Sequence, residues 1–261
     1  MAFVPNYRSG NQTSGSGAAP FAGVDAGLRA YMLSVYNWMT AGLVVTGLVA
    51  YGVAETSLRG LFYATVQTAS GAWGYRPTPL GMLVTFAPLA FVLVLSFGIN
   101  RLSRPVVQGL FWALCATMGA SLANILMVYT GVSVARAFFV SAATFGAMSL
   151  WGYTTRRSLA SLGSFLMMGM IGLLIAMVVN IFMASSMMAF VVSVAGVLIF
   201  TLMTAYSTQA IRATYLQSVA YLGPDEVSKR SVYDALGLYL NFINLFTFIL
   251  QFMGVRSNSN D

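Results

Sequence analysis

The chain has 261 residues, 58% of them hydrophobic and 7% charged, whereas a water-facing domain carries roughly 25% charged residues, so a soluble globular domain of any size is excluded. Net charge is +7, from 13 Lys and Arg against 6 Asp and Glu, but the cations stand singly or in pairs between apolar runs, with no basic tract to follow a nucleic-acid backbone. Histidine is absent, which removes Ser-His and Cys-His catalysis and His-ligated metals.

Residues 1–27, containing "NYRSGNQTSGSGAAPFAG", lack apolar periodicity and read as a flexible cytosolic arm. No basic start leads into an apolar stretch and cleavage site, so the arm does not read as a signal peptide. A membrane span needs about 20 apolar residues. Seven runs qualify, at 31–53, 79–99, 106–130, 135–153, 161–184, 186–206 and 233–253. They predict an all-α membrane protein of seven transmembrane helices, with a membrane domain over 28–254 and a short tail over 255–261. The stretches 54–78 and 207–232 are the expected long loops, the second holding Asp225, Glu226, Lys229 and Arg230. Only "SSM" near Ser185 parts the fifth and sixth runs, which predicts a tight hairpin.

Orientation follows from the cations. With the N-terminus inside, the inner side holds Arg8, Arg29, Arg101, Arg104, Arg156, Arg157, Arg212, Lys229 and Arg230, and the outer side Arg59, Arg76, Arg136 and Arg256. Nine against four predicts an inner-membrane protein with its N-terminus in the cytosol and its C-terminus outside. Tyr36, Trp38, Trp151, Tyr153, Tyr206 and Tyr239 stand near span ends, where they either anchor at the interface or pack between helices. Gly42, Gly47, Gly119, Ala120, Gly163, Gly169 and Gly172 suit close helix–helix approach. Cys115, the only cysteine, reads as a small buried thiol. Met187 and Met188 are the only candidates for a thioether metal site, and ordinary packing accounts for them better, so no metal site and no cofactor are assigned.

Charge inside a span is the usual pointer to function. Of the six acids, only Asp234 approaches a span, expected at the inner start of the seventh helix. Without a mid-membrane carboxylate, proton-coupled transport and intramembrane aspartyl proteolysis lack their machinery. The single lysine, Lys229, falls in an expected loop and not beside a serine in a span. The expectation is a non-enzyme. In the seventh helix, Asp234, Asn241 and less closely Gln251 share a face, because seven residues make nearly two turns, and Asn244 flanks that stripe. Such a stripe must face protein or water. It is either an interhelical packing seam or the lining of a polar path.

Four segments in order, "GLRAYMLSVYNWMTAGLVVTG" (27–47), "YTTRRSLASLGSFLMMGMIGLLIAMVVNIF" (153–182), "LMTAYSTQAI" (202–211) and "ALGLYLNFINLFTFILQFMG" (235–254), resemble the Bax inhibitor-1 family, also called the transmembrane Bax inhibitor motif family. The resemblance covers about Asp25 to Gly254. It implies six helices surrounding a central C-terminal one, and a passive calcium leak gated by a proton-sensitive aspartate pair that an arginine latches. Calcium enters as a transported ion, not as a cofactor. By the matching motifs, the first aspartate position is Ser207 in "AYSTQ", the second is Asn241 in "LYLNFINLF", and the latching arginine is Arg101 in "FGINRLSRP". Both carboxylates are thus replaced by neutral residues. Two close carboxylates titrate as a coupled pair near neutrality; serine and asparagine do not. Two readings of function stand: a cation (calcium) leak channel with candidate path residues Arg101, Ser207, Asp234, Asn241 and Asn244, or a non-conducting regulator that binds another membrane protein, such as a membrane protease, through residues 1–27 or the loops. In the first, Asp234 either substitutes for the lost pair in a displaced latch with Arg101 or is a solvated acid favoured by the helix dipole. Beyond the bilayer and that partner, no oligomeric state follows from the sequence.

Overall fold

The computed structural model describes residues 19–67, 73–98, 101–255 and 257. In chain order the elements are helix α1 (Ala19–Glu55), a short helix α2 (Arg59–Phe62), strands β1 (Tyr63–Gln67) and β2 (Trp73–Pro77), and helices α3 (Pro79–Gly98), α4 (Arg104–Val128), α5 (Gly131–Thr154), α6 (Ala160–Met183), α7 (Ser186–Gln217) and α8 (Pro224–Met253). Seven helices, α1 and α3 to α8, are long and apolar enough to cross a bilayer. The protein is an all-α multi-pass membrane protein whose described strands form one antiparallel hairpin, with Tyr63 opposite Pro77.

Local chemistry explains the turns. Thr130 caps α5 by accepting from the Ser133 amide at 3.3 Å, and Ser185 caps α7 by accepting from the Met188 amide at 3.3 Å. Between α6 and α7 the chain reverses through Ala184 in the left-handed region, φ 48°, while Asn180 Oδ1 accepts from the Ser185 amide at 3.1 Å. That is the tight hairpin expected at "SSM". Pro224 opens α8 with Asp225 and Glu226 in its first turn, where the helix dipole favours acids.

Three expectations change. The loop expected over 207–232 shrinks to 218–223, because α7 runs on to Gln217 and α8 begins at Pro224. The apolar run ends where hydrocarbon ends, but backbone hydrogen bonding does not, and Ile211, Tyr215 and Val232 bury in these extensions. Asp234 therefore lies about three turns inside α8, not at its start. The stretch 54–78 carries α2 and the hairpin, tied to α4 where the Tyr63 hydroxyl donates to the Ala120 carbonyl at 3.1 Å. Residues 19–27 of the expected flexible arm are helical; residues 1–18 lie outside the described residues. At the other end, the Thr130 amide donates to the Val255 carbonyl at 3.1 Å and the Ser257 amide to the Val128 carbonyl at 2.9 Å, which clips the start of the tail to the α4–α5 turn.

Helix α8 is the centre of the bundle. Over half of its most apolar window is buried, 56%, against 11% for α6. Helices α1, α4, α5 and α7 pack directly on it, α3 rests on α4, and α6 rests on α7. Leu238, Tyr239 and Leu245 have no exposed surface. Small residues let the helices close: a Cβ at Gly119 would lie 2.5 Å from the Thr46 carbonyl oxygen, and one at Gly163 would lie 2.7 Å from the Tyr206 ring. Gly47 and Gly172, by contrast, face open space.

Candidate ion path along the central helix

Beginning at the arginine-rich end, α8 carries a succession of polar side chains, and Ser231, Asp234, Tyr239, Asn241 and Gln251 each meet a hydrogen-bond partner on a neighbouring helix. Ser231 accepts from the Ser34 hydroxyl of α1 at 3.2 Å and donates to the Ser228 carbonyl at 2.8 Å. One turn on, Asp234 accepts from the Tyr31 hydroxyl at 2.6 Å through Oδ2 and lies 3.4 Å from Arg230 Nε through Oδ1. Its side chain is 10% exposed. Tyr31 in turn packs against Tyr215 of α7, ring centroids 4.8 Å apart. A carboxylate so placed needs both partners, since a buried unpaired charge is strongly destabilising.

About 10 Å further along α8, at ~1.5 Å per residue, Asn241 Nδ2 donates to Ser207 Oγ of α7 at 3.0 Å. Beside this pair, the Tyr36 hydroxyl of α1 donates to Ser149 Oγ of α5 at 3.0 Å, and Ser149 shares a hydrogen bond with Thr208 of α7 at 3.0 Å. At the α1–α4–α8 junction, Tyr239 and Thr46 share a 2.7 Å hydrogen bond, and the Thr46 hydroxyl lies 3.0 Å from the Cys115 carbonyl. Toward the C-terminal end of α8, Asn244, Thr247 and Gln251 line a cavity of about 180 Å³ whose far wall is Met170, Leu173 and Met177 of α6.

The structure brings Ser207 and Asn241 together and sets Asp234 on the same helix, with Asn244 bordering the cavity beside α6. It does not bring Arg101 to Asp234. Arg101 is exposed in the turn between α3 and α4, where its amide closes that turn on the Gly98 carbonyl at 2.9 Å. Neither alternative left open for Asp234, a latch with Arg101 or a solvated acid at the helix start, is what forms: Arg230, one turn before it on its own helix, and Tyr31 hold the carboxylate. The α4 arginine that reaches α8 is Arg104, 3.0 Å from Asp225, with both side chains well exposed; such a surface pair contributes at most about 1 kcal/mol.

Sequence reasoning missed Tyr31, Thr46, Ser149 and Thr208, while Tyr239 takes the second of the two roles left open for it, packing between helices. For Tyr239 a signal existed: it stands in the middle of α8, where an interfacial tyrosine has no interface. The expected start of that helix, near residue 233, left the interfacial alternative open. Serine and threonine inside apolar runs carry no comparable mark, because each can satisfy its hydroxyl on its own helix, as Ser141 does on the Ala137 carbonyl.

Around the polar-lined α8 pack α1, α4, α5 and α7, with α3 and α6 in a second layer. The family model described as inhibitor of apoptosis-promoting Bax1 matches residues 28–258. The chain belongs to the Bax inhibitor-1 family. Among its relatives, an uncharacterized protein of Caulobacter vibrioides is 44% identical over 234 residues, covering 88% of this chain and 90% of the relative. Uncharacterized protein RP147 of Rickettsia prowazekii is 40% identical, covering 89% and 92%. Inner membrane protein YbhL of Escherichia coli is 38% identical, covering 88% and 94%. The family match takes in α1 from residue 28 and all of α3 to α8, so α8 and the polar groups around it lie in the shared domain.

Proposed function

We propose that this chain is a bacterial inner-membrane member of the Bax inhibitor-1 family, N-terminus cytosolic and C-terminus outside, that forms a cation leak along α8 closed by a neutral hydrogen bond. The observation that carries the reading is the 3.0 Å contact from Asn241 Nδ2 to Ser207 Oγ. It stands at the two positions where the family resemblance implies carboxylates. A polar succession along a central helix must face protein or water, and opening this contact would join the inner polar cluster to the outer cavity. The orientation rests on the cation count, nine against four; Arg8 and Arg256 in that count lie outside the described residues.

Neither Ser207 nor Asn241 changes charge near neutrality, so this gate does not sense protons there. Calcium takes 6–8 oxygen ligands, carboxylates among them, and an amide and a hydroxyl supply no charge to offset its dehydration. Cation preference then falls to Asp234. That preference is weak, because Tyr31 and Arg230 already occupy its oxygens.

Calcium flux from liposomes holding the full chain, compared at about pH 6 and about pH 8, tests the reading, with the Ser207→Asp, Asn241→Asp double variant alongside. Flux in the wild-type chain should be the same at both pH values. In the double variant two facing carboxylates titrate as a coupled pair, so its flux should become pH-dependent. If the wild-type chain carries no flux at either pH and only the double variant conducts, the leak reading falls. The neutral pair would then support the second reading, a non-conducting regulator that engages another membrane protein.

A further inference from the structure

Toward the arginine-rich end, α1 and α5 stand apart and leave a groove of about 510 Å³ open to the lipid side. Its floor is the Tyr36–Ser149 hydrogen bond, which spans from one helix to the other. Its walls are apolar: Met32 and Met39 from α1, Phe145 and Leu150 from α5. Leu33 and Leu150 form the lips and are 54% and 64% exposed. Gly146 also lines the groove, and a Cβ there would meet no atom within 4 Å, so the space is unfilled along this stretch of α5.

The mouth of the groove is cationic. Arg29 lines it and is exposed. Asp25, one turn earlier on α1, makes no ion pair with Arg29, and Arg29 has no acidic partner among the described residues. Tyr153 closes the same end of the groove, and Arg156 and Arg157 follow it in the turn that leaves α5, likewise exposed and without acidic partners among the described residues. That turn is braced. Gln209 of α7 donates from Nε2 to the Arg157 carbonyl at 2.9 Å and accepts from the Leu159 amide at 2.6 Å. Arg212 donates to the Tyr153 carbonyl at 2.9 Å and stands over its ring at 5.6 Å. The backbone that carries the guanidiniums is fixed while the guanidiniums themselves stay free.

We propose that this groove binds an anionic phospholipid, its phosphate at Arg29 and the Arg156–Arg157 turn and one acyl chain lying between α1 and α5. Guanidinium suits phosphate because its planar fork matches two oxygens at once. Basic pockets between transmembrane helices at a membrane face select acidic headgroups for this reason. The acyl chain explains what the arginines alone do not: an apolar slot running from the cationic mouth into the hydrocarbon layer. Arg29 also stands where a chain entering the bilayer would keep its headgroup, just before the apolar part of α1 begins. No ion flux enters this assignment, so it stands or falls apart from the leak reading.

The test uses the full chain in neutral detergent micelles, titrated with dioleoyl phosphatidylglycerol, with dioleoyl phosphatidylcholine, and with glycerol phosphate as the headgroup alone. Retained lipid is counted by native mass spectrometry and thermal unfolding is followed in parallel. Wild-type protein should retain one phosphatidylglycerol in preference to phosphatidylcholine, and glycerol phosphate should not protect it. Arg29→Ala should weaken phosphatidylglycerol retention about fivefold, the factor one cation supplies near an anionic surface, and Arg156→Ala with Arg157→Ala should weaken it further. Gly146→Leu, which fills the slot, should abolish retention of both lipids while helicity and elution volume stay unchanged. Equal retention of the two lipids by wild type, full retention by Gly146→Leu, or protection by glycerol phosphate equal to that of the lipid would each overturn the site. Should Gly146→Leu not fold, the arginine variants decide alone, since their side chains are exposed: unchanged preference for phosphatidylglycerol in both of them overturns the assignment.

Discussion

Helices α6 and α8 are both long membrane spans, of 24 and 30 residues, yet they solve opposite problems. The most apolar stretch of α6 has mean hydropathy 2.4 and is 11% buried; that of α8 has 1.6 and is 56% buried. In water the more apolar helix would be the core. In a bilayer lipid tails are as apolar as leucine, so nothing drives the apolar helix inward, and polar groups must find protein. Helix α6 exposes Ile181 and Phe182 at 76% and 86%, whereas α8 sinks Asp234 and Asn241 against α1 and α7. Central position in this bundle follows from polarity rather than from hydrophobicity.

That contrast can be broken by matched substitutions, read as unfolding in mixed micelles with rising dodecyl sulfate. Phe248→Ala on α8 removes a ring stacked on Phe200 at 5.7 Å and packed over Gly196; it should cost about 3 kcal/mol, as large-to-small changes in packed cores do. Phe182→Ala on α6 should stay within about 0.5 kcal/mol. Equal losses would show that α8 is not packed as described. Tyr31→Phe takes the hydroxyl from Asp234 without changing shape much. A hydrogen bond to a charged group contributes about 2 kcal/mol, so a loss of that size is expected, and a neutral result would mean that water replaces the hydroxyl.

The Ser207–Asn241 contact should be weaker. A double-mutant cycle with Ser207→Ala and Asn241→Leu should return a coupling of about 0.6 kcal/mol, the average for interhelical hydrogen bonds in a membrane. Zero coupling would remove the contact as a closure of the path. The smallest effect belongs to α6 again. Gly172→Ala places its methyl in open space and should leave stability unchanged or raise it slightly, because alanine favours the helix over glycine. The equivalent change at Gly163, which meets Tyr206, should be destabilising.

How far the site was legible follows the same division. Every predicted span is a helix, with the apolar runs falling inside the observed bounds to within two residues, as for 135–153 within Gly131–Thr154 and 161–184 beside Ala160–Met183. The alignment of Asn241 with Ser207 was legible only through the family motif; no spacing between residues 34 positions apart could place one against the other. The partners of Asp234 were not legible, because Tyr31 is 203 positions away and looks like any interfacial tyrosine. The hairpin at 63–77 escaped notice because an apolar window for spans is blind to strands of five residues.

The sequence by itself therefore determined that this chain lives in a membrane, how many times it crosses and where the tight α6–α7 turn falls, and the family resemblance implies which two neutral residues stand at carboxylate positions. Hydrocarbon thickness and backbone hydrogen bonding dictate the first three locally, segment by segment. Only the tertiary structure decided that α8 is central, that Arg230 and Tyr31 rather than Arg101 hold Asp234, and that α1 and α5 part to leave a groove below Arg29. Those outcomes depend on which helix faces meet, and in a bilayer that choice is made by small residues and by the pairing of scattered polar side chains, neither of which marks its partner in the sequence.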